Sequence, residues 1–393
     1  MGMLRLVLAL LIASAHLLPR GDSVWWTSYS AIFAVKASFV ISGFYMALVF
    51  NGRYRDRPVR DFYVSRALRL VPVYWLVSVV TIVAAWVLAG TNGHFYPLLD
   101  PAFSWSRLNL LGGALPVLLY LAVTLTTLFG ADTWLWLGFN ARDGRFSTAP
   151  DYGPGATSAL ALSFVPQAWV FGLQIVFYLL APFLVARRVG WLLGLAVGSL
   201  IFRAVIASYG LTGDPWSQAL LPSELVFFLA GILSYRVYTA LQSRDIPTVL
   251  PRLALGVALG TTILVGPSIA LFGTTLFLET VPFVVLAASI ALAFSATRDN
   301  EFDAYVGSLS YPVYIVHLLV YGIISQTPLS VFASVFGTGW RWLILNLVFV
   351  VLVAYVLDVV CIRRLNRLRA RFGARAAMPP TLLAQPSWSM SGS

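Results

Sequence analysis

Arg5 and His16, two polar side chains in the first apolar segment, are residue types that can do chemistry. Eleven positions separate them, so an α-helix places them on one stripe, about three turns and roughly 16 Å apart along its axis. A guanidinium and an imidazole are costly inside a membrane-length segment, and such residues are functional candidates by default. An imidazole also titrates near neutral pH, which suits a general acid or base. The spacing therefore predicts a functional site that this helix positions.

Arg66 and Arg69 form a second candidate, because a spacing of three places them on one face of a helix. Guanidinium forks match phosphate oxygens in a bidentate geometry. Coenzyme A is a cytosolic acyl donor that carries several phosphates, so we predict that this pair binds such a donor. The preceding arginines, from Arg53 to Arg60, are predicted to anchor the chain among lipid headgroups.

Other polar residues lie in or near apolar segments and are candidates for a substrate site or pathway. They are Lys36, Ser42, Gln174, Glu224, Tyr311 and His317. Four of them also have ordinary interpretations: Lys36 snorkelling from near the outer end of its helix, Ser42 in close helix packing, Glu224 as a helix cap, and His317 as a hydrogen-bonded structural residue. His94 falls in a predicted external loop and is expected to have a surface role. Cys361 is the only cysteine, so we expect no thiol-based metal cluster and predict no metal cofactor.

The composition indicates an integral membrane protein. Of 393 residues, 59% are hydrophobic and only 10% are charged, far below the roughly 25% charged residues of soluble domains. The formal net charge of +11 lies in short segments between apolar runs. This is the pattern of cytoplasmic loops, so we interpret the charge as positive-inside topology and predict no nucleic-acid partner.

The apolar segments and their charged connections predict the fold class and topology. Besides Met3–Pro19, the apolar segments are Tyr29–Phe50, Leu70–Ala89, Leu108–Gly130, Ala168–Ala186, Val189–Tyr209, Ala219–Tyr238, Leu253–Phe272, Thr274–Ala296, Tyr305–Ile324 and Trp340–Ile362. Arginine clusters can all be cytoplasmic only if an even number of crossings separates them. Leu108–Gly130, which contains a Gly pair and a proline, is therefore predicted to be re-entrant or interfacial. The expected fold is an all-α integral membrane protein with about ten transmembrane helices and both termini in the cytoplasm.

Residues 1–370 are predicted to form one membrane domain, followed by a disordered cytoplasmic tail at 371–393. Asn140–Thr157, rich in Gly, Asp and Pro, is expected to be an external loop. One alternative concerns the first segment, because Ala13–Ser14–Ala15 after an apolar run resembles a signal-peptide cleavage site. Cleavage there would remove Arg5.

Five stretches, in this order, resemble the acyltransferase-3 family of membrane acyltransferases. They are Arg5 with His16, Phe39–Phe44, Arg66-x-x-Arg69 before Pro72–Trp75, Trp169–Pro182, and Gly307–His317. These stretches cover the whole predicted membrane domain. No single one of them is decisive, but five in order make a specific signal.

The resemblance implies transfer of an acyl group, usually acetyl, from cytoplasmic acetyl-coenzyme A to a hydroxyl of an extracytoplasmic glycan or lipid-linked sugar. It implies that His16 is the essential catalytic residue, with Arg5 as its partner along the donor path. Arg66 and Arg69 would then hold coenzyme A. The implied location is the bacterial cytoplasmic (inner) membrane, with membrane lipids as the surroundings. The chain departs from many members at Gln174, where they carry Glu, so this residue is expected to bind rather than to act as an acid or base.

The residues leave the mechanism and two other functions open. His16 is predicted to act as a general base during direct attack on the thioester, and a covalent acyl-histidine is the alternative route. A transporter or flippase of an anionic or lipid-linked saccharide would also use arginines to steer its substrate. An inactive partner subunit of an envelope-polysaccharide assembly would explain Gln174.

Overall fold

A computed structural model describes residues 1–17, 27–92, 115–140, 145–148, 156–212, 215–326 and 339–367. Within these residues, nine helices are long and apolar enough to cross a membrane, and a shorter apolar helix precedes them. The prediction of an all-α integral membrane protein with about ten spans is confirmed. The predicted tail and His94 lie outside the described residues.

The helices are numbered here in chain order. They are α1 Gly2–His16, α2 Thr27–Asn51, α3 Val59–Asn92, α4 Leu115–Trp136, α5 Trp169–Val185, α6 Val189–Ser208, α7 Leu221–Leu241, α8 Val249–Phe272, α9 Leu276–Thr297, α10 Glu301–Ser308, α11 Ser310–Gln326 and α12 Trp340–Leu357. A π-helical turn, Asp358–Ile362, continues α12, and two 3-10 turns, Ala159–Leu162 and Pro166–Ala168, lead into α5.

A small antiparallel sheet lies between α4 and α5 and overlaps Asn140–Thr157, the segment that the sequence predicts as an external loop. Its strands are β1 Leu137–Asn140, β2 Arg145–Thr148 and β3 Ala156–Ser158, in the order β2-β1-β3. Leu137 pairs with Thr148 and Asn140 with Arg145, so β1 and β2 form a hairpin. Strands of three or four residues carry too little alternation to be read from a sequence.

Helix α1 lies in the core, although it is the shortest of the candidate spans. Leu4, Leu8 and Ala13 are almost fully buried, and the helix packs mainly against α2, α10 and α11. At its start, the backbone N–H groups of Gly2 and Met3 donate to the carboxylate of Asp303, at 2.5 and 2.8 Å. A carboxylate at a helix N-terminus satisfies otherwise unpaired donors and complements the helix dipole. The helix is therefore an integral part of the bundle.

The directions of α3 and α5 support the parity argument made from the charges. The hydroxyl of Tyr63, early in α3, donates to the carbonyl of Leu179, late in α5, at 3.0 Å. About two turns further along α3, the carbonyl of Leu70 accepts from Tyr311, whose ring packs 5.0 Å from that of Phe171, early in α5. The two helices are thus antiparallel, and α5 starts on the side where α3 ends.

Helix α4 falls within the segment predicted to be re-entrant or interfacial. It is continuous over 22 residues, and Pro116 occupies its first turn, where a proline is tolerated. Its contacts are mainly with α5 and α3. The Gly pair at 112–113 lies outside the described residues. That this segment is re-entrant or interfacial stays a prediction.

Helices α2 and α7 approach so closely that backbone meets backbone. A Cβ atom added to Gly43 would stand 1.9 Å from the carbonyl oxygen of Phe228. A Cβ atom added to Gly231 would stand 1.9 Å from the carbonyl oxygen of Val40. Small residues permit this kind of approach between membrane helices. The contact holds Ser42 and Tyr45 of α2 in register with the rest of the bundle.

We predict that Gly43→Ala lowers the free energy of unfolding by about 1–3 kcal/mol, because the added methyl group forces the two backbones apart. Gly194→Ala is the matched control, since a Cβ atom there meets nothing within 4 Å, and it should be neutral or stabilise the helix by up to about 1 kcal/mol. Thermal unfolding of the two detergent-solubilised variants checks the difference. Equal melting temperatures would contradict the close approach.

Candidate functional site

A cavity of about 270 Å³ opens among α1, α2, α3, α5 and α11. Its lining is Arg5, Leu8, Ala9, Ile12, Ser38, Ile41, Ser42, Tyr45, Met46, Val49, Arg66, Arg69, Leu70, Val170, Phe171, Gln174, Tyr178, Ser310, Tyr311 and Tyr314. Six of the residues predicted from the sequence therefore meet at one place: Arg5, Ser42, Arg66, Arg69, Gln174 and Tyr311.

Helix α1 contributes one continuous stripe to this cavity. Arg5, Leu8, Ala9 and Ile12 all line it, which is the i, i+3, i+4, i+7 pattern of one helical face. His16 is the next residue on that stripe. The prediction that Arg5 and His16 share a face is therefore confirmed, although the cavity ends one turn before His16.

Arg5 is held in place by polar and aromatic partners rather than by an acid. Its Nη2 donates to the Oγ of Ser310 at 3.0 Å, and its guanidinium carbon lies 5.8 Å from the centre of the Tyr45 ring. Tyr45 was not singled out by the sequence reasoning. An aromatic residue in an apolar helix is usually a packing residue, so only its position against Arg5 reveals it.

Arg66 and Arg69 both reach the cavity from α3, as a spacing of three on one helix requires. The Arg66 guanidinium lies 5.2 Å from the centre of the Phe62 ring and 5.6 Å from that of Tyr178. Its Nε is buried and has no hydrogen-bond partner in the described part of the chain. Among the described residues that line the cavity, three are arginines and none is Asp or Glu. The site is therefore cationic, and the buried Nε–H of Arg66 can donate to a ligand. Both features favour an anionic ligand.

Ser42 and Gln174 join opposite walls of the cavity. The Nε2 of Gln174 on α5 donates to the Oγ of Ser42 on α2 at 2.9 Å. An amide does not ionise, so Gln174 adds a polar group without adding a charge. The positive potential of the three arginines is consequently not neutralised from this side.

Two tyrosines of α11 hold the wall between the cavity and the histidines. The hydroxyl of Tyr311 donates to the carbonyl of Leu70 at 2.9 Å, and that of Tyr314 donates to the carbonyl of Gln167 at 2.7 Å. Both hydroxyls are thus engaged with backbone, and both rings stack edge-on against Phe171. Tyr311, a candidate from the sequence, does line the cavity, but its hydroxyl is used in a structural hydrogen bond.

His16 and His317 lie together just beyond the cavity. Their ring centres are 5.2 Å apart, although 300 residues separate them in the sequence. His317 is fully buried, whereas His16 at the end of α1 is exposed. The structure thus brings a weaker sequence candidate directly against the residue predicted to be catalytic.

Lys36 and Glu224 do not reach the cavity and lie instead around Phe227. The ammonium of Lys36 and the guanidinium of Arg203 each lie 5.5 Å from the centre of the Phe227 ring. Glu224 is buried and accepts a 2.9 Å salt bridge from Arg203. Leu220, the N-cap residue of α7, makes no side-chain capping hydrogen bond, and a capping role for Glu224 stays a prediction. Arg203 was missed, although an arginine inside the apolar helix α6 is itself a signal of a buried partner.

These observations define a multi-pass membrane protein with an internal cationic cavity next to a pair of histidines. A family model described as an acyltransferase domain matches residues 1–359. The chain therefore belongs to the acyltransferase-3 family, as its motifs indicated, and it is a membrane acyltransferase. Searches among curated proteins and among solved structures find no match.

We expect Arg203→Met to lower the free energy of unfolding by about 1–3 kcal/mol, because the buried Glu224 carboxylate loses a charged hydrogen-bond donor. The double variant Arg203→Met/Glu224→Met removes both charges and should recover most of that loss. Chemical or thermal unfolding of the single and double variants measures the coupling. A double variant less stable than Arg203→Met would contradict the assignment of Glu224 to this ion pair.

Proposed function

We propose that this acyltransferase moves an acyl group, with acetyl as the first candidate, from cytoplasmic acyl-coenzyme A to a hydroxyl of an extracytoplasmic glycan or lipid-linked sugar. The proposed setting is the bacterial cytoplasmic membrane. The observation that carries the proposal is the meeting of Arg5, Arg66 and Arg69 in one cavity that follows the α1 stripe toward His16. In this arrangement, a site suited to anions leads toward the His16 imidazole, which can take up a proton.

The charge of the cavity supports coenzyme A as the donor. Its phosphates are polyanionic, and guanidinium forks bind phosphate oxygens in pairs. The unpartnered Nε of Arg66 offers a donor for one such oxygen. The aromatic rings of Phe62 and Tyr178 keep that guanidinium oriented, which lowers the entropy lost when it binds.

The position of His16 supports a general-base role. Its Nδ1 lies 3.0 Å from the carbonyl oxygen of Ile12, and a carbonyl can only accept, so this nitrogen carries the proton in the neutral ring. The lone pair is then on Nε2. In the proposed step, the acceptor oxygen forms an ester bond to the acyl carbon while its proton passes to Nε2. The carbon–sulfur bond breaks, and the imidazolium proton returns to the departing thiolate.

Gln174 supports a binding role at the donor site. Its amide is fixed to Ser42 within the cavity, where it can hydrogen-bond an amide or carbonyl group of the donor. A Glu at this position would place a negative charge among the three arginines. The neutral side chain therefore keeps the cavity more cationic, which is consistent with a polyanionic donor.

We predict that His16→Asn lowers acyl transfer by about 10²- to 10⁴-fold, the usual contribution of a general base, without weakening acetyl-coenzyme A binding. Mass spectrometry of surface glycans compares cells carrying the wild-type chain, His16→Asn, or no copy. Wild-type cells should show a shift of one acyl mass that both other strains lack. The same shift in the His16→Asn strain would refute the base. No shift in any strain would favour the saccharide transporter or the inactive partner subunit.

We expect Arg66→Gln/Arg69→Gln to weaken acetyl-coenzyme A binding by about 100-fold, because two charged hydrogen-bond donors to phosphate are lost. Arg244→Gln is the control, since Arg244 is exposed after α7 and does not line the cavity. Isothermal titration of the detergent-solubilised variants with acetyl-coenzyme A gives the three affinities. An unchanged affinity in the double variant would refute the phosphate-binding role.

A further inference from the structure

His16 and His317 occupy equivalent positions on two neighbouring helices. On α1, Ile12 lines the cavity and His16 follows one turn later; on α11, Tyr314 lines the cavity and His317 follows one turn later. Contacts between Arg5 and Ser310 and between the two histidines show that α1 and α11 run in the same direction. Both imidazoles therefore lie beyond the same end of the cavity.

Each imidazole is anchored to its own helix through the same ring nitrogen. The Nδ1 of His317 lies 2.5 Å from the carbonyl oxygen of Tyr314, just as the Nδ1 of His16 faces the carbonyl of Ile12. Because a carbonyl only accepts, both Nδ1 atoms carry a proton when the rings are neutral. Both Nε2 atoms then carry lone pairs and can only accept.

The Nε2 of His317 has no donor within the described residues. This atom is buried and unpartnered, in a side chain that is fully buried. A buried acceptor without a donor lowers the stability of a fold. The presence of this unpartnered nitrogen beside His16 therefore calls for an explanation. The rings are 5.2 Å apart between centres and tilted by 44°, so the orphaned atom belongs to a ring that packs beside the imidazole proposed to gain an N–H during the reaction.

We propose that His317 is a positioning residue that stabilises the protonated form of His16. This proposal rests on the proposed function, in which His16 takes the proton of the acceptor hydroxyl. Once Nε2 of His16 holds that proton, the N–H can donate to Nε2 of His317, directly or through one water. The proton is shared between the two rings until it passes to the departing thiolate, and His317 makes no bond to the acyl group.

If His317 has this role, its replacement should lower activity without changing donor affinity or stability. The described lining of the donor cavity does not include His317, so its loss should leave the KM for the donor unchanged. Leucine at this position would remove a buried unsatisfied acceptor, which is neutral or stabilising in a fold. Glutamine would keep an acceptor oxygen on a side chain of similar length.

The test uses membrane vesicles that carry the full chain, with acetyl-coenzyme A as the donor and the endogenous glycan as the acceptor. For His317→Leu we expect kcat to fall about 10- to 100-fold, the contribution of one charge-assisted hydrogen bond, with KM and melting temperature retained. His317→Gln should recover most of kcat. Unchanged kcat in His317→Leu would overturn the proposal. So would a loss of kcat that tracks the melting temperature and that His317→Gln does not rescue.

A second measurement does not depend on turnover. The chain has three histidines, so His94→Gln leaves only the proposed pair. Nitrogen-15 spectra of this variant, with His317→Gln for assignment, report which ring nitrogen is protonated. We expect a proton on Nδ1 and none on Nε2 of neutral His317. A proton on Nε2 would overturn the proposal, even if the vesicles transfer acyl groups; absence of transfer in wild-type vesicles would instead refute the proposed function.

Discussion

The presence of three arginines in one cavity without an acidic residue in its described lining is the constraint on which the rest of the site depends. A charge in a poorly solvated place must be paired, hydrogen-bonded or reserved for a ligand. Here the chain supplies a serine hydroxyl, a glutamine amide and aromatic rings, but not a neutralising carboxylate. The buried carboxylates of the described residues serve other elements: Asp303 caps α1, Glu224 pairs with Arg203, and Asp358 pairs with Arg363.

The precision of that site depends on how α1 and α2 are held. Asp303 binds the first backbone donors of α1, and Gly2 and Gly307 meet so closely that neither could carry a side chain without displacing the other helix. Gly43 and Gly231 bring α2 equally close to α7. Close backbone contact leaves little freedom for a helix to slide, so the side chains along the α1 stripe keep one register against α2 and α11.

Much of the fold could be predicted from the sequence because the bilayer imposes a simple rule. Apolar runs of membrane length must be helical, since their backbone groups find no other partners there. The charge pattern also predicts an even number of crossings from the start of α3 to the end of α5. The antiparallel packing of these two helices agrees with that prediction. The sequence did not predict β1–β3, because such short strands carry little local signal. It did not predict the roles of Tyr45 and Arg203 either, because these roles depend on partners distant in the chain.

The sequence by itself determined the α1 stripe and the Arg66–Arg69 face, because helical periodicity is a local property of the chain. It also determined the family, through motifs that span residues 5–317. Only the tertiary structure decided that these faces meet in one cavity, that Glu224 belongs to an ion pair, and that His317 stands beside His16. Those outcomes depend on side chains separated by up to about 300 residues, and their meeting is set by how the helices pack rather than by any spacing along the chain.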